Sequence, residues 1–184
     1  GFPKLFAKYK PNHFSALADH LKYLAEDPLT KGMNLSFLIS AGVGGDTLNA
    51  EMERTVNEYL KRNGCLYEVV KGYGMTELCA TSVISFRGAN AIGSVGVPLV
   101  SNTVKIVDMD TGKELSYNQT GEIWISAPSA MLGYYENQKE TNEVLVTDEN
   151  GTRWVKTGDL GRMNSDGLLF HEGRIRRIYL TTFE

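Results

Sequence analysis

The chain has 184 residues, enough to bury one good core or two small ones. Its formal net charge of -3, with Lys and Arg scattered apart from one late cluster, gives no basis for a nucleic-acid partner. No apolar run reaches membrane-spanning length. Cys65 and Cys79 have no metal-ligand spacing and read as small buried side chains in a reducing compartment, so a cytoplasmic location is expected. His13, His20 and His171 form no cluster, and the first two are read as solvated. Gly1-Phe2-Pro3-Lys4 carries no secretory signal. Because the pattern starts and stops abruptly, the chain is expected to be a piece of a longer protein.

In chain order, Phe14, Leu17, Leu21 and Leu24 recur at helical spacing, and Asp27-Pro28 is expected to end that helix. A short apolar strand is predicted over residues 35–40, followed by the glycine-rich turn Ala41-Gly42-Val43-Gly44-Gly45. Asp46 or Thr47 fits the N-cap of a second helix, whose apolar stripe is Leu48, Met52, Val56, Tyr59 and Leu60. Asn63-Gly64 supplies its stop, and an apolar run over residues 66–70 reads as the next strand. Alternation of strand, helix and strand favours a parallel sheet.

Beyond about Gly93 the pattern changes. Val104, Ile106, Ile123, Ile125, Trp154 and Leu168 lie in short segments separated by Asp110-Thr111-Gly112, Asn150-Gly151 and Asp166-Gly167. Such turn signals predict hairpins and a mostly antiparallel β half. The fold class is therefore α/β: a parallel-type α/β layer, then a mostly antiparallel β subdomain. The expected division is residues 1–92, 93–178, and a hinge beginning within 174–184.

The most informative segment is Lys71-Gly72-Tyr73-Gly74-Met75-Thr76-Glu77. It places a ring, two glycines without a Cβ, a hydroxyl and a carboxylate in one short stretch after an apolar run. Tyr73 offers a flat face to a purine, Thr76 a hydroxyl to a phosphate or carbonyl oxygen, and Glu77 a hard oxygen to Mg²⁺. The bland alternative is a strand, a turn and a helix N-terminus with Tyr73 and Met75 in a core.

Further segments follow in order: Gly44-Gly45-Asp46-Thr47-Leu48 upstream, then Gly93-Ser94-Val95-Gly96-Val97-Pro98. Gly121-Glu122-Ile123-Trp124 runs on to Met131-Leu132-Gly133-Tyr134-Tyr135, and Thr157-Gly158-Asp159 and Gly173-Arg174 close the set. In this order the segments resemble the adenylate-forming superfamily of acyl-CoA synthetases, amino-acid adenylation domains and luciferases. The resemblance covers nearly the whole chain, from about residue 30 to Ile178, and is to the large N-terminal domain.

The resemblance implies activation of a carboxylic acid by ATP as an acyl-adenylate, then displacement of AMP by the thiol of coenzyme A or a carrier. Adenosine recognition would use Gly44, Gly45 and Asp46 with the ring of Tyr73; Asp46 reads equally well as a helix N-cap. Thr76 and Glu77 would act at the reacting phosphate, Glu77 also holding Mg²⁺. Asp159 would accept from the ribose hydroxyls, aimed by a compact Thr157-Gly158 turn. Arg174 would supply a fork of donors to ribose or phosphate oxygens. The acyl group would run past Gly72 and Gly74, with Ala80 and Thr81 lining its pocket. The stretches 93–98 and 121–135 are read as architecture, without chemistry.

The family's phosphate loop would lie before Gly1 and its lid, with a catalytic lysine, after Glu184. Arg176 stands at the family's hinge position, where Lys or Asp is usual, and Arg177 replaces a commonly acidic neighbour. The implied parent is an ATP-dependent acid–thiol ligase acting on a small-molecule carboxylic acid with ATP and CoA. The opening Lys8-Tyr9-Lys10-Pro11 and the stretch 131–135 favour a fatty-acyl-CoA synthetase over an amino-acid or aryl-acid adenylation domain. No protein partner is implied. The rival of another class is a non-catalytic nucleotide-binding scaffold, against which Thr76, Glu77, Asp159 and Arg174 together argue. The isolated piece is expected to be inactive.

Overall fold

The computed structural model describes residues 1–45 and 48–175. Asp46, Thr47 and Arg176, with everything after it, lie outside the described residues. The expected Asp46 contact and the hinge at Arg176 and Arg177 fall there. The chain divides into two compact units: Gly1–Gly72 with Ser85–Gly93, and Tyr73–Ile84 with Ser94 onward. The chain thus crosses between units after Gly72, after Ile84 and after Gly93, and residues 73–84 belong with the β-rich part.

The first unit carries helix α1 (Phe2–Tyr9), strand β1 (His13–Ala16), helix α2 (Ala18–Glu26), strand β2 (Ser40–Val43) and helix α3 (Ala50–Arg62). It also holds the beginning of β3 (Val70–Met75). Strands β1, β2 and β3 pair in parallel, His13 opposite Ser40 and Gly42 opposite Val70, as the alternating elements predict. Leu21, Leu24, Leu35, Leu38, Val56 and Leu60 form its buried core. Phe6 and Phe14 meet edge-on at 5.3 Å between ring centroids, a favoured aromatic arrangement.

Several element limits differ from expectation. Phe14 belongs to β1, and α2 starts only after Leu17. The cap of α3 is Asn49, whose side chain accepts from the Met52 N–H at 2.8 Å, so neither Asp46 nor Thr47 holds that position. Strand β2 begins where residues 35–40 were expected to end, and the presumed turn at 41–43 is the strand itself. Likewise β3 starts at Val70, and Leu66 is exposed. Cys65 is buried as expected, whereas Cys79 is exposed in a left-handed conformation.

Strand β3 carries a buried charge, Lys71, and a carboxylate is buried with it. Lys71 Nζ bonds Glu53 Oε1, and both side chains are almost wholly buried. Lys71 also donates to the Ala91 carbonyl at 2.8 Å, and Glu53 Oε2 accepts from the Gly93 N–H at 2.9 Å. The segment Ser85–Gly93 is thereby tied to α3 and β3.

The second unit is mostly antiparallel, as predicted. Strands β6 (Thr103–Val107), β7 (Gly121–Ser126), β9 (Arg153–Met163) and β10 (Leu169–Arg174) lie in the order β10-β9-β7-β6, and β8 (Leu145–Thr147) pairs with β9. Strands β4 (Ala80–Ile84) and β5 (Val97–Pro98) form an antiparallel pair, and helix α4 (Gln138–Val144) precedes β8. Ile123 and Ile125 alternate inward along β7 and join Leu78, Val83, Ile106, Val155 and Leu169 in the core, the period-two burial of a half-buried strand. Each expected turn forms. Each is also closed by a side chain ahead of the glycine: Asp108 accepts from Thr111, Asp148 from Asn150 and Thr152, and Asn164 from Asp166 and Leu168. Asp and Asn bond their own backbone this way readily.

Glycines let the sheet close up. A Cβ on Gly161 would stand 2.5 Å from the Phe170 carbonyl and 2.7 Å from Ile123 Cδ1. Gly161→Ala is therefore expected to destabilise the protein by about 1–3 kcal/mol through overpacking. Urea denaturation checks this; an unchanged midpoint would refute the packing argument.

Candidate active site

The end of β3 feeds a short 3-10 turn, Thr76–Leu78, and the strand–turn junction opens onto a cleft of about 780 Å³ in the second unit. Gly74, Met75, Thr76 and Glu77 line one side. Glu140, Glu143 and Val144 of α4 line another, together with Tyr134. Lys156, Thr157 and Gly158 of β9 and Arg174 of β10 complete it. The lining carries three carboxylates, Glu77, Glu140 and Glu143, and two cations, Lys156 and Arg174, which suits a polar ligand better than an apolar one. Gly74 has a further constraint: a Cβ there would overlap the Ala80 carbonyl. Its bareness is required by the neighbouring backbone.

Asp159 sits in the middle of β9, not on a turn. The register explains why a turn-like signal precedes it. Glu122 pairs with Leu160 and Trp124 with Lys156, so residues 157–159 stand opposite Ile123 alone. This bulge contains Gly158 at φ +69°, and a bulge re-aims side chains on its strand. It is well anchored: Thr157 Oγ1 donates to the Ile123 carbonyl at 2.8 Å, and the Gly158 N–H donates to Glu122 Oε1 at 3.1 Å.

The bulge turns Asp159 toward Tyr73, whose hydroxyl donates to Oδ2 at 2.8 Å. Arg174, opposite Asp159 in the β9–β10 register, brings Nε to 3.2 Å from Oδ1. Oδ1 is nevertheless buried and, among the described residues, accepts no hydrogen bond. The Arg174 contact is an ion pair with poor hydrogen-bond direction. His171 joins them, Nε2 3.7 Å from Oδ2 and its ring 5.5 Å from that of Tyr73. Burial pushes the Asp159 carboxyl up, but the contacts of His171 and Tyr73 and the charge of Arg174 outweigh it and leave it below its usual value. Burial, with the neighbouring Asp159 charge, pushes the Tyr73 phenol up, so it remains a donor.

A carboxyl with a depressed folded-state pKa stabilises the protein above its unfolded pKa, and that stability is lost as pH falls through the folded value. Asp159→Asn removes the titration. Its acid limb below the ordinary value of 3.8 is expected to be shallower than that of the unsubstituted protein. Thermal melting across pH 2 to 6 would show it; parallel profiles would contradict it.

Thr76, Glu77, Gly74 and Arg174 therefore share one cleft, while Tyr73, Asp159 and Arg174 form one bonded cluster. Ala80 and Thr81 lie exposed at the start of β4, Ala80 at φ +96°. Gly72, Gly44 and Gly45 belong to the first unit; Gly44 borders a smaller cleft of about 430 Å³ with Phe2, Ser15, Leu17 and His20. Tyr73 presents its hydroxyl to Asp159 and packs partly into the core. His171, Tyr134, Lys156 and the α4 acids were not singled out by sequence. His171 in particular was read as belonging to no cluster, because its partners come from β3 and β9.

The architecture is that of the N-terminal domain of adenylate-forming enzymes. A long-chain-fatty-acid–CoA ligase from Archaeoglobus fulgidus matches it with a TM-score of 0.83 at 24% identity, over 98% of this chain and 37% of that one. O-succinylbenzoate coenzyme A synthetase from Bacillus subtilis, solved in complex with AMP, matches with a TM-score of 0.74 at 25% identity, over 93% of this chain and 33% of its own. The model of the AMP-binding enzyme family matches residues 2–135, and the chain belongs to that family. Probable 4-coumarate–CoA ligase 1 of Dictyostelium discoideum is 34% identical over 177 residues, 96% of this chain and 31% of the relative. Long chain acyl-CoA synthetase 8 of Arabidopsis thaliana is 37% identical over 142 residues, 75% of this chain and 18% of the relative. The chain thus spans less than a third of the length of these two relatives. No described helix is long and apolar enough to cross a membrane.

Proposed function

We propose that the chain forms the adenosine-binding part of an ATP-dependent acid–thiol ligase, which activates a carboxylic acid as its acyl-adenylate and passes the acyl group to coenzyme A. The observation that carries this is Asp159: a buried, ionised carboxylate held by Tyr73, whose Oδ1 is ion-paired with Arg174 yet accepts no hydrogen bond from the described residues. Such an oxygen fits ribose hydroxyls, since a buried acceptor without a donor is costly unless a ligand supplies one.

In this reading Arg174 offers donors to ribose or α-phosphate oxygens from the cleft edge, and Lys156 adds positive charge beside it. Thr76, exposed at the start of the 3-10 turn, donates its hydroxyl to an α-phosphate or acyl oxygen. Glu77 fits a Mg²⁺ site, because that ion is commonly held by one or two carboxylates together with substrate phosphates. When bound, Mg²⁺ would neutralise charge on the phosphate oxygens. Gly44 and Gly45 are assigned to the adenine edge, and Gly72, Gly74, Ala80 and Thr81 to the acyl path. The division into an α/β part, a β-rich part and a hinge at Arg176 belongs to the same reading, as does a cytoplasmic location.

A fatty acid is the first choice of substrate, in keeping with the similarity to a long chain acyl-CoA synthetase. An aryl-propenoic acid is the second, favoured by the 4-coumarate–CoA ligases among the relatives. The full-length protein should release pyrophosphate from ATP in response to an added acid, chiefly fatty acids, and form the CoA thioester. A stronger response to coumarate would select the second substrate. No acid-dependent pyrophosphate from any class would overturn the ligase reading.

A further inference from the structure

We propose that Tyr134 is a positioning residue for Glu77: its phenol holds one carboxylate oxygen so that the other is left to hold Mg²⁺ together with the substrate phosphates. The inference rests on the reading of Glu77 given above and deepens it. Sequence alone assigned the stretch containing Tyr134 to architecture, yet three bonds from it converge on the 3-10 turn. Ser129 Oγ donates to the Leu78 carbonyl at 2.8 Å, and the Met131 N–H donates to the Glu77 carbonyl at 2.8 Å. Tyr134 then donates its hydroxyl to Glu77 Oε1 at 2.5 Å. The first two bonds fix the backbone that carries Glu77; the third fixes its side chain.

The phenol is itself held in place. The Tyr134 N–H donates to Thr141 Oγ1 at 2.9 Å, and the Thr141 hydroxyl donates to the Asn137 carbonyl at 2.8 Å. Gly133 lies against Thr141 so closely that a Cβ would meet its Cγ2 at 2.9 Å. Arg153 of β9 bonds the Met131 carbonyl. Helix α4 and strand β9 thus set where the hydroxyl points, and both Tyr134 and Glu77 face the cleft. A phenol donating to a carboxylate makes a short, charge-assisted bond. It occupies one oxygen and leaves the remaining acceptor sites of a long, flexible side chain free for one direction only. That is how a supporting residue holds a reacting group to the required geometry.

The test compares Tyr134→Phe, Glu77→Gln and the double variant in the full-length protein. Tyr134→Phe keeps the ring and both backbone anchors and loses only the hydroxyl. It is expected to lower kcat for acid-dependent pyrophosphate release about ten-fold, as for one charge-assisted hydrogen bond, with KM for ATP and the melting temperature unchanged. Binding of Mn²⁺ in the presence of ATP, followed by the manganese electron paramagnetic resonance signal, should weaken several-fold. In the Glu77→Gln background the same substitution should have little further effect on either readout. Wild-type behaviour of Tyr134→Phe while Glu77→Gln is slow would overturn this inference alone. So would an equal effect of Tyr134→Phe in both backgrounds, or a loss of melting temperature that accounts for the loss of rate. A fully active Glu77→Gln would overturn the reading of Glu77 and this inference with it.

Discussion

Glu53→Ala is expected to destabilise the first unit by about 3–5 kcal/mol, the cost of breaking a buried ion pair from one side. Glu53 is fully buried on α3, and Lys71 on β3 is nearly so. Burial already pushes the Lys71 ammonium below its ordinary pKa, opposed by the bond and charge of Glu53 and then by Glu68. Without Glu53, burial acts against the ammonium almost unopposed. The Gly93 N–H loses its acceptor as well. Lys71→Met should cost a similar amount, because it strands the carboxylate instead. The double variant Glu53→Leu with Lys71→Met should recover much of the loss, since two apolar groups make no charge to bury. Urea denaturation of the three variants decides it; two mild single variants would mean water reaches the pair. The sign with pH follows from the lowered Lys71 value. The folded chain holds this proton less tightly than the unfolded chain, so the contribution of Lys71 rises with pH between its folded value and 10.5.

The same pair explains which parts of the fold were legible. A run of apolar residues is the main strand signal in a sequence, and it placed a strand at residues 66–70. The true strand begins at Val70 and carries Lys71, Gly72 and Gly74; the Lys71 ammonium is buried there against a charge partner 18 residues upstream. No local pattern contains that partner. Strand β2 was likewise sought in the apolar residues 35–40, where Leu35 and Leu38 are indeed buried but precede the strand. The antiparallel half read more truly because its turns are local: Asp108, Asp148 and Asn164 each close a loop within a few residues.

The candidate site divides along the same line. Thr76, Glu77, Asp159 and Arg174 were legible one at a time, from residue type and from the order of motifs. Their supports were not. Glu77 is held by Tyr134 across 57 positions, and Tyr73 meets Asp159 across 86. His171 enters only through strand pairing: it stands opposite Gly161, two residues from Asp159 on β9, and so reaches the carboxylate diagonally. Gly158 misled in an instructive way, since a glycine with positive φ marks a bulge within a strand as readily as a turn.

Asp159→Ala should lower affinity for AMP by at least about a hundred-fold, because hydrogen bonds to a charged acceptor contribute about 1.5–3 kcal/mol each and two ribose hydroxyls can reach a carboxylate. Calorimetric titration of the full-length protein with AMP measures it. Loss of affinity alone would not separate ribose contact from collapse of the cluster, since Tyr73 and Arg174 also lose a partner. The ligand supplies the control. In the unsubstituted protein, 2′-deoxy-AMP and 3′-deoxy-AMP should each bind more weakly than AMP, and in Asp159→Ala the three nucleotides should converge. Convergence assigns the lost free energy to the hydroxyls, because a general disturbance would weaken all three in proportion. If a folded Asp159→Ala protein still binds AMP at full strength, Oδ1 of Asp159 serves Arg174 alone, and the adenosine site lies elsewhere.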